Sequence, residues 1–338
     1  MQVIIQYSLT LAAQTVSPDR PFHVVILMPV YRDWESASLL CRKLDEQCAQ
    51  IGSITAQALL VDDGSPDGTA GWEPFAPRQL RSVEALHLRR NLGHQRAIAV
   101  GLCYVHDHIP CDAVLLMDAD GEDRPEDVPR LLRQALEQPG RILFAERRKR
   151  LEGLVFRAGY HAYRRLHHLL TGVTVRVGNF SVLPYPALRR LTCMSELWNH
   201  YAGAVFKSRL GFDTLPIDRG QRYRGQSHMN LVSLVSHGLS GIASFEETVG
   251  TRILLANAAA AVLVIAGLLA VAGVRLFTRL AIPGWATYTA GFLLILLLQL
   301  AGISFSLVFT LVTNRVNSTF LPAREYPFFV DRVATLTN

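Results

Sequence analysis

The sequence predicts an α/β domain built on a mostly parallel sheet, followed by two helices that cross a membrane. Three observations predict this. Short apolar runs of strand character alternate with segments of helical period over residues 22–146. Three of those runs end in Pro, Gly or Asp, at the place where parallel sheets bind ligands. Further on, 22 residues without a charge separate Arg252 from Arg275, and 35 more separate Arg279 from Arg315. Each stretch is long enough to cross a hydrocarbon core of about 30 Å.

The elements follow in order. Residues 1–21 hold an apolar stretch with no Lys or Arg before Arg20, so they lack the positive start of a signal peptide. "HVVILMP" (23–29) reads as a fully buried strand. Asp33 is placed to cap the next helix, where Trp34, Ala37, Leu40, Cys41, Leu44 and Cys48 keep helical spacing. "AQALLVDDGSPDGT" (56–69) is a second strand running into a turn rich in Gly, Pro and Asp. "EALHL" (84–88) is a third, and "RRNLGHQRAIAVGL" is a loop entering a helix. "AVLLMDAD" (113–120) is a fourth, after which Pro125 opens a helix through about Gln138. "RILFA" (141–145) is a fifth. One parallel-sheet unit is thus expected at 22–146.

Residues 147–251 read as a membrane-facing region. Leu151, Val155, Ala158, Ala162, Leu166 and Leu169 share one helical face, and Arg157, His161, Arg164 and His168 share another. This predicts an amphipathic helix lying in the membrane interface, with a second such element at 230–245. A spanning hairpin is expected within 252–314, at about 253–274 and 288–312, followed by a cytoplasmic tail at 315–338. Charge supports the division. Residues 1–140 carry a net −7 and residues 141–176 a net +7, within a total of +6. A basic collar beside membrane spans points to anionic lipid headgroups as partners, not to nucleic acid. The five cysteines show no metal-binding spacing and read as reduced thiols.

The stretch "VLLMDADGEDRPED" (114–127) carries the chemistry. Carboxylates crowded at a strand end repel one another unless a positive partner sits among them. Asp118 and Asp120, separated by one residue, suit Mg²⁺ or Mn²⁺, which take oxygen ligands and bridge to phosphates. The acids that follow also suit a helix N-terminus. The motif gains weight from Asp62 and Asp63 at another strand end and from the Asn91-Leu92-Gly93 loop.

"MPVYRDWES", "LLVDDGSPDGT", "RRNLGHQRAIAVGL" and "LLMDADGEDRPED", in this order, resemble the nucleotide-sugar half of family-two inverting glycosyltransferases of the GT-A fold. With two C-terminal spans and "DRGQRYRGQSHM" (218–229), the likeness narrows to the polyprenyl-phosphate glycosyltransferases. The resemblance implies transfer from a nucleotide-sugar, UDP-linked rather than GDP-linked, to undecaprenyl phosphate, with inversion. It implies a bacterial inner-membrane enzyme with a cytoplasmic catalytic domain, and a homo-oligomer. Pro29, Val30, Tyr31, Asp33, Asp62, Asp63, Asn91, Gly93, Asp118 and Ala119 would contact the donor nucleotide. Asp118 and Asp120, with Glu122, would hold Mg²⁺ or Mn²⁺. Arg219, Arg222, Ser227 and His228 would grip the acceptor phosphate, the two arginines acting in catalysis with the two aspartates. Three positions depart from the pattern: Glu122 replaces the usual Gln, Asn179 a frequent Asp, and His228 a Lys. Two rivals are an aspartate phosphatase using Asp118 as nucleophile and a non-catalytic scaffold for lipid-linked sugars.

Overall fold

The computed structural model describes residues 21–52, 54–147, 164–173, 177–224, 238–278, 282–316 and 320–337. Strands β1 (Phe22–Val30), β2 (Ile54–Asp62), β3 (Leu80–Leu88) and β4 (Ala113–Leu116) pair in parallel, with β1 between β4 and β2 and β3 outside β2. Every residue from His23 to Val30 is buried, so β1 reads as an unbroken apolar run and not as an alternation. Its two faces supply two cores. Val24, Ile26 and Met28 pack with helices α1 (Trp34–Cys48) and α3 (Val128–Glu137). Val25 and Leu27 pack with α2 (His94–His108).

Beyond β4 the sheet becomes mixed. Strand β6 (Ser181–Pro184) runs antiparallel to β4 and to β5 (Ile142–Arg147), and β7 (Phe212–Ile217) runs parallel to β5. Helices α4 (Tyr185–Leu191) and α5 (Tyr201–Ser208) join β6 to β7. Asp33 stands at the N-cap of α1, but its side chain makes no capping hydrogen bond; only its carbonyl accepts, from Ala37 N–H at 3.1 Å. The expected cap is therefore absent.

Helices α6 (Glu246–Phe277) and α7 (Trp285–Val316) form an antiparallel hairpin, in which Gly250 meets Leu311, Asn257 Nδ2 donates to Ser304 Oγ at 3.3 Å, and Gly267 meets Leu293. At 32 residues each they are about 48 Å long. They exceed the expected spans at every end, by more than a turn at Glu246 and at Val316. None of their most apolar stretch is buried within the protein, which separates them from core helices.

The largest departure from expectation follows the spans. The segment read as a tail folds back, and β8 (Val330–Thr335) adds an eighth strand antiparallel to β3. Trp72 Nε1 donates to Leu336 O at 3.1 Å, and Tyr326 Oη donates to Asp107 at 2.8 Å. "VDRVAT" is short and carries two charges, as edge strands do, so no local pattern announces it. The interfacial helices lie largely outside the described residues. The described end of the first, 164–171, is helical with Leu166 and Leu169 exposed. Its last turn is tied to α6, since Arg252 donates to Leu169 O at 2.6 Å.

Candidate active site

The carboxyl ends of β2, β1 and β4 lie side by side, so Asp62-Asp63, Pro29-Val30-Tyr31 and Asp118-Ala119-Asp120 open onto one cleft. Pro29, Val30 and Ala119 are buried in its floor, while Tyr31 and Asn91 are exposed at its rim. Asp62 and Asp63 are buried and already committed. Asp62 accepts from Ser65 N–H at 3.1 Å and contacts His87 Nδ1 at 2.8 Å. The Asp63 oxygens accept from Leu92 N–H at 2.7 Å and Gly93 N–H at 2.9 Å, which anchors the loop leading into α2. Burial pushes Asp63 up to about 6 against those two hydrogen bonds. Gly64 closes the same turn at φ +69°, where a Cβ would lie 2.5 Å from the Arg90 carbonyl carbon.

The acidic run makes a tight turn in which each carboxylate has a separate task. Asp123 is wholly buried. It accepts from Asp118 N–H at 2.9 Å and from Arg147 Nη2 at 2.7 Å. Burial and then the Asp118 charge push it up to about 7, against Arg147. Asp120 accepts from Glu122 N–H at 2.9 Å and from Arg222 Nη2 at 2.5 Å. Burial and the Asp118 charge still raise its pKa. Glu122, expected beside the metal aspartates, faces Arg147 Nη1 at 3.5 Å and pairs closely with Arg219. Its carboxylate is thus drawn to two guanidinium groups and away from Asp118.

Residues 218–224 lie across this turn. Gly220 N–H donates to Glu122 O at 2.9 Å and Tyr223 N–H to Asp120 O at 3.0 Å. Lys43 sits 4.4 Å over the Tyr223 ring, and Arg224 pairs with Glu35 of α1. Arg219 and Arg222, expected to grip a phosphate, therefore rest on the acidic turn. Ser227 and His228 lie outside the described residues.

Sequence reading missed four residues here. Arg147, counted with the basic collar, ends β5 and points inward; burial opposes its charge, but Asp123, Asp118 and Glu122 outweigh that and raise its pKa. Asp123 was read only as one of a run of acids. His94 opens α2 and places Nε2 3.2 Å from Asp118 Oδ1. Gln95 joins Asn179 to Tyr201: it accepts from Tyr201 N–H at 2.8 Å and donates to Asn179 Oδ1 at 3.1 Å. Position at a strand end was the available signal for Arg147; nothing local marked the others.

The turn fits a divalent cation. Asp118 Oδ1 is a buried oxygen that accepts no well-formed hydrogen bond. Burial pushes the Asp118 carboxyl up, but the charges of His94 and Arg147 and hydrogen bonds from His94 and Asn179 hold it below its ordinary value. Among the described residues no three acidic, His or Cys side chains converge at metal-binding spacing. Arg222 on Asp120 and Arg219 on Glu122 hold the positions where positive charge is needed.

The glycosyl transferase family 2 profile matches residues 25–192. The chain is 28% identical over 221 residues to the undecaprenyl-phosphate 4-deoxy-4-formamido-L-arabinose transferase of Erwinia tasmaniensis, covering 63% of this chain and 65% of that one. It is 36% identical over 113 residues to the Klebsiella pneumoniae protein of the same name, covering 33% of each. The chain thus spans less than two thirds of these relatives. Two solved structures show a partial likeness. Mannosyl-3-phosphoglycerate synthase from Rubrobacter xylanophilus is 19% identical at a TM-score of 0.45, covering 78% of each chain. Glucosyl-3-phosphoglycerate synthase from Mycobacterium tuberculosis, solved with Mn²⁺, UDP-glucose and phosphoglyceric acid, is 17% identical at 0.46, covering 69% of this chain and 80% of that one.

Proposed function

Because this chain carries a glycosyl transferase family 2 domain and is a glycosyltransferase, we propose that it transfers a sugar from a nucleotide-sugar, UDP-linked rather than GDP-linked, to undecaprenyl phosphate. The phosphatase and scaffold readings are set aside with that premise. One observation carries the proposal: a basic loop, 218–224, lies directly on the Asp118–Asp123 turn, in a domain whose sheet continues into a hairpin of two apolar helices. Donor diphosphate and acceptor phosphate both need positive charge, and a lipid acceptor needs a membrane beside it.

The chemistry asked of these residues is modest. A phosphomonoester has its second pKa near 6, so the acceptor is largely a dianion at neutral pH and needs no base. This suits Asn179, which offers none. An acceptor oxygen forms a bond to the anomeric carbon from the face opposite the diphosphate. The bond from that carbon to the diphosphate oxygen breaks, and the nucleoside diphosphate leaves with the electron pair. Mg²⁺ or Mn²⁺ held by Asp118 and Asp120 would supply charge neutralisation for that leaving group. Asp63 holds the Leu92-Gly93 loop, Asp123 and Arg147 hold the turn, and Arg219 and Arg222 orient the acceptor phosphate.

The hairpin crosses a bacterial inner membrane, with the catalytic domain and β8 both on the cytoplasmic side. Packing of β8 against β3 supports this, because the chain must return to the side it left. The test is a donor screen with purified protein, undecaprenyl phosphate, and Mg²⁺ or Mn²⁺. The panel includes UDP-4-deoxy-4-formamido-L-arabinose, the sugar in the relatives' name, and GDP-sugars. Release of nucleoside diphosphate with formation of a lipid-linked sugar is expected from a UDP-sugar; no lipid product from any donor refutes the proposal.

A further inference from the structure

On the glycosyl-transfer reading above, which sets the donor against the loop from Arg89 to Gly93, we propose that Trp198 is a positioning residue for the donor site. It clamps the chain returning from the membrane hairpin onto that loop and onto the first turn of α2. Trp198 lies between α4 and α5. Phe320 comes four positions after Val316, the end of α7, and its ring stands 4.4 Å from the Trp198 ring, centroid to centroid. Phe329, at the foot of β8, stands 5.1 Å from the same ring. From α2, the Arg96 guanidinium lies over it, 5.6 Å from the centroid. Aromatic rings and a guanidinium gathered on one indole attract it beyond what buried area alone supplies.

The donor loop is held at both ends. At its start, Arg89 N–H donates to Phe329 O and Arg89 Nε to Val330 O, each at 2.9 Å. At its end, the Asp63 carboxylate accepts from Leu92 and Gly93 N–H, and Arg96 N–H donates to Gly93 O at 3.0 Å. Asn91, between these anchors, is exposed at the cleft rim. Tyr326 fixes the far end of α2 through Asp107, so the helix is pinned against the clamp. Removing the indole therefore loosens Phe329 and Arg96 together, one at each end of the loop.

Cover for the β3 edge does not need these contacts. Pairing of Glu84–Leu88 with Val330–Thr335 supplies it through the main chain. The Arg89 bonds lie past the last of those pairs, and the stack on Trp198 joins the segment before β8 to the start of α2. Because Phe320 follows α7 so closely, the seating of the hairpin sets where the donor loop stands.

The test pairs hydrogen exchange with donor affinity. Exchange is read by mass spectrometry on the full-length protein in detergent without ligand, and UDP binding is measured in the presence of Mn²⁺. In Trp198→Ala and Phe329→Ala, exchange over 89–97 should accelerate and the UDP Kd should rise, each by about 10-fold, while β1 exchanges as in the wild type. Trp198→Phe, which keeps a ring in the stack, should hold both readouts within about 3-fold of wild type. Trp72→Phe, which removes only the bond to Leu336 O at the far end of β8, should leave both unchanged. Exchange over 89–97 that does not move, acceleration spread equally over β1, or an unmoved UDP Kd in both alanine variants overturns the role and leaves glycosyl transfer intact. A wild type that binds no UDP overturns the donor reading, and this inference with it.

Discussion

Gly121→Ala is expected to release the arginine loop from the acidic turn without unfolding the domain. Gly121 sits at φ +87°, where an alanine costs about 1–3 kcal/mol of backbone strain. That strain falls on the turn itself. A second cost falls on docking, because the new Cβ would lie 2.7 Å from two carbons of the Tyr223 ring. Lys43 covers that ring, and Tyr223 N–H is bonded to Asp120 O, so the ring yields only if the loop lifts. Overlap of this kind costs about 1–3 kcal/mol. At about 1.4 kcal/mol per factor of ten, a middle value of about 2 kcal/mol opens the loop about 30-fold more often. Trypsin reads this directly, since Arg219 and Arg222 become cleavable only when the loop opens. Cleavage at these bonds, followed by mass spectrometry, should accelerate by that factor, and the KM for undecaprenyl phosphate should rise. Gly220→Ala should do the same from the other side, where a Cβ would meet the Gly121 carbonyl oxygen. Unchanged cleavage rates and unchanged lipid kinetics in both variants would refute the docking of Arg219 and Arg222 as the basis of the acceptor site.

Asparagine at Asp118 or Asp120 should abolish transfer, and chelation should do the same to the wild type; full activity in excess EDTA would remove the metal from the mechanism. The pH dependence of stability carries the mark of Asp63. Its folded-state pKa is raised from 3.8 to about 6, so its protonated form favours the fold. That contribution is complete below about pH 3.8 and lost as pH rises to about 6, a change of about 3 kcal/mol. Relative to Asp63→Asn, the wild type should lose that much unfolding free energy across the window, and parallel curves would show that Asp63 does not titrate there. For topology, a cysteine at Pro283, between α6 and α7, should react with a membrane-impermeant maleimide added outside intact cells. Labelling from the cytoplasmic side alone would contradict the hairpin.

Much of the architecture is written locally. β1 is buried on both faces, so its residues had to be apolar in unbroken sequence, and "HVVILMP" shows it. The two long apolar helices are legible for the same reason, since each carries an uncharged run long enough to cross lipid. Asp118 and Asp120 stand out because carboxylates rarely follow four buried apolar residues without a partner. Other features depend on partners far along the chain. The strand at Val330–Thr335 exists because β3 offers an unpaired edge, and its own six residues carry no strong signal. Glu122 lies two residues from Asp120 and reads as a third metal ligand, yet Arg147 and Arg219 turn it away. His94 and Asn179 are 85 positions apart, and only the pairing of β4 with β6 brings Asn179 to the start of α2. Sequence alone determined which segments are buried, which are long and apolar enough to cross lipid and which strand end is acidic, because these follow from solvent acting on each residue. Which carboxylate pairs with which guanidinium was decided by the tertiary structure. Hydrogen bonds and ion pairs are short-ranged and directional, so their partners exist only once the chain has folded.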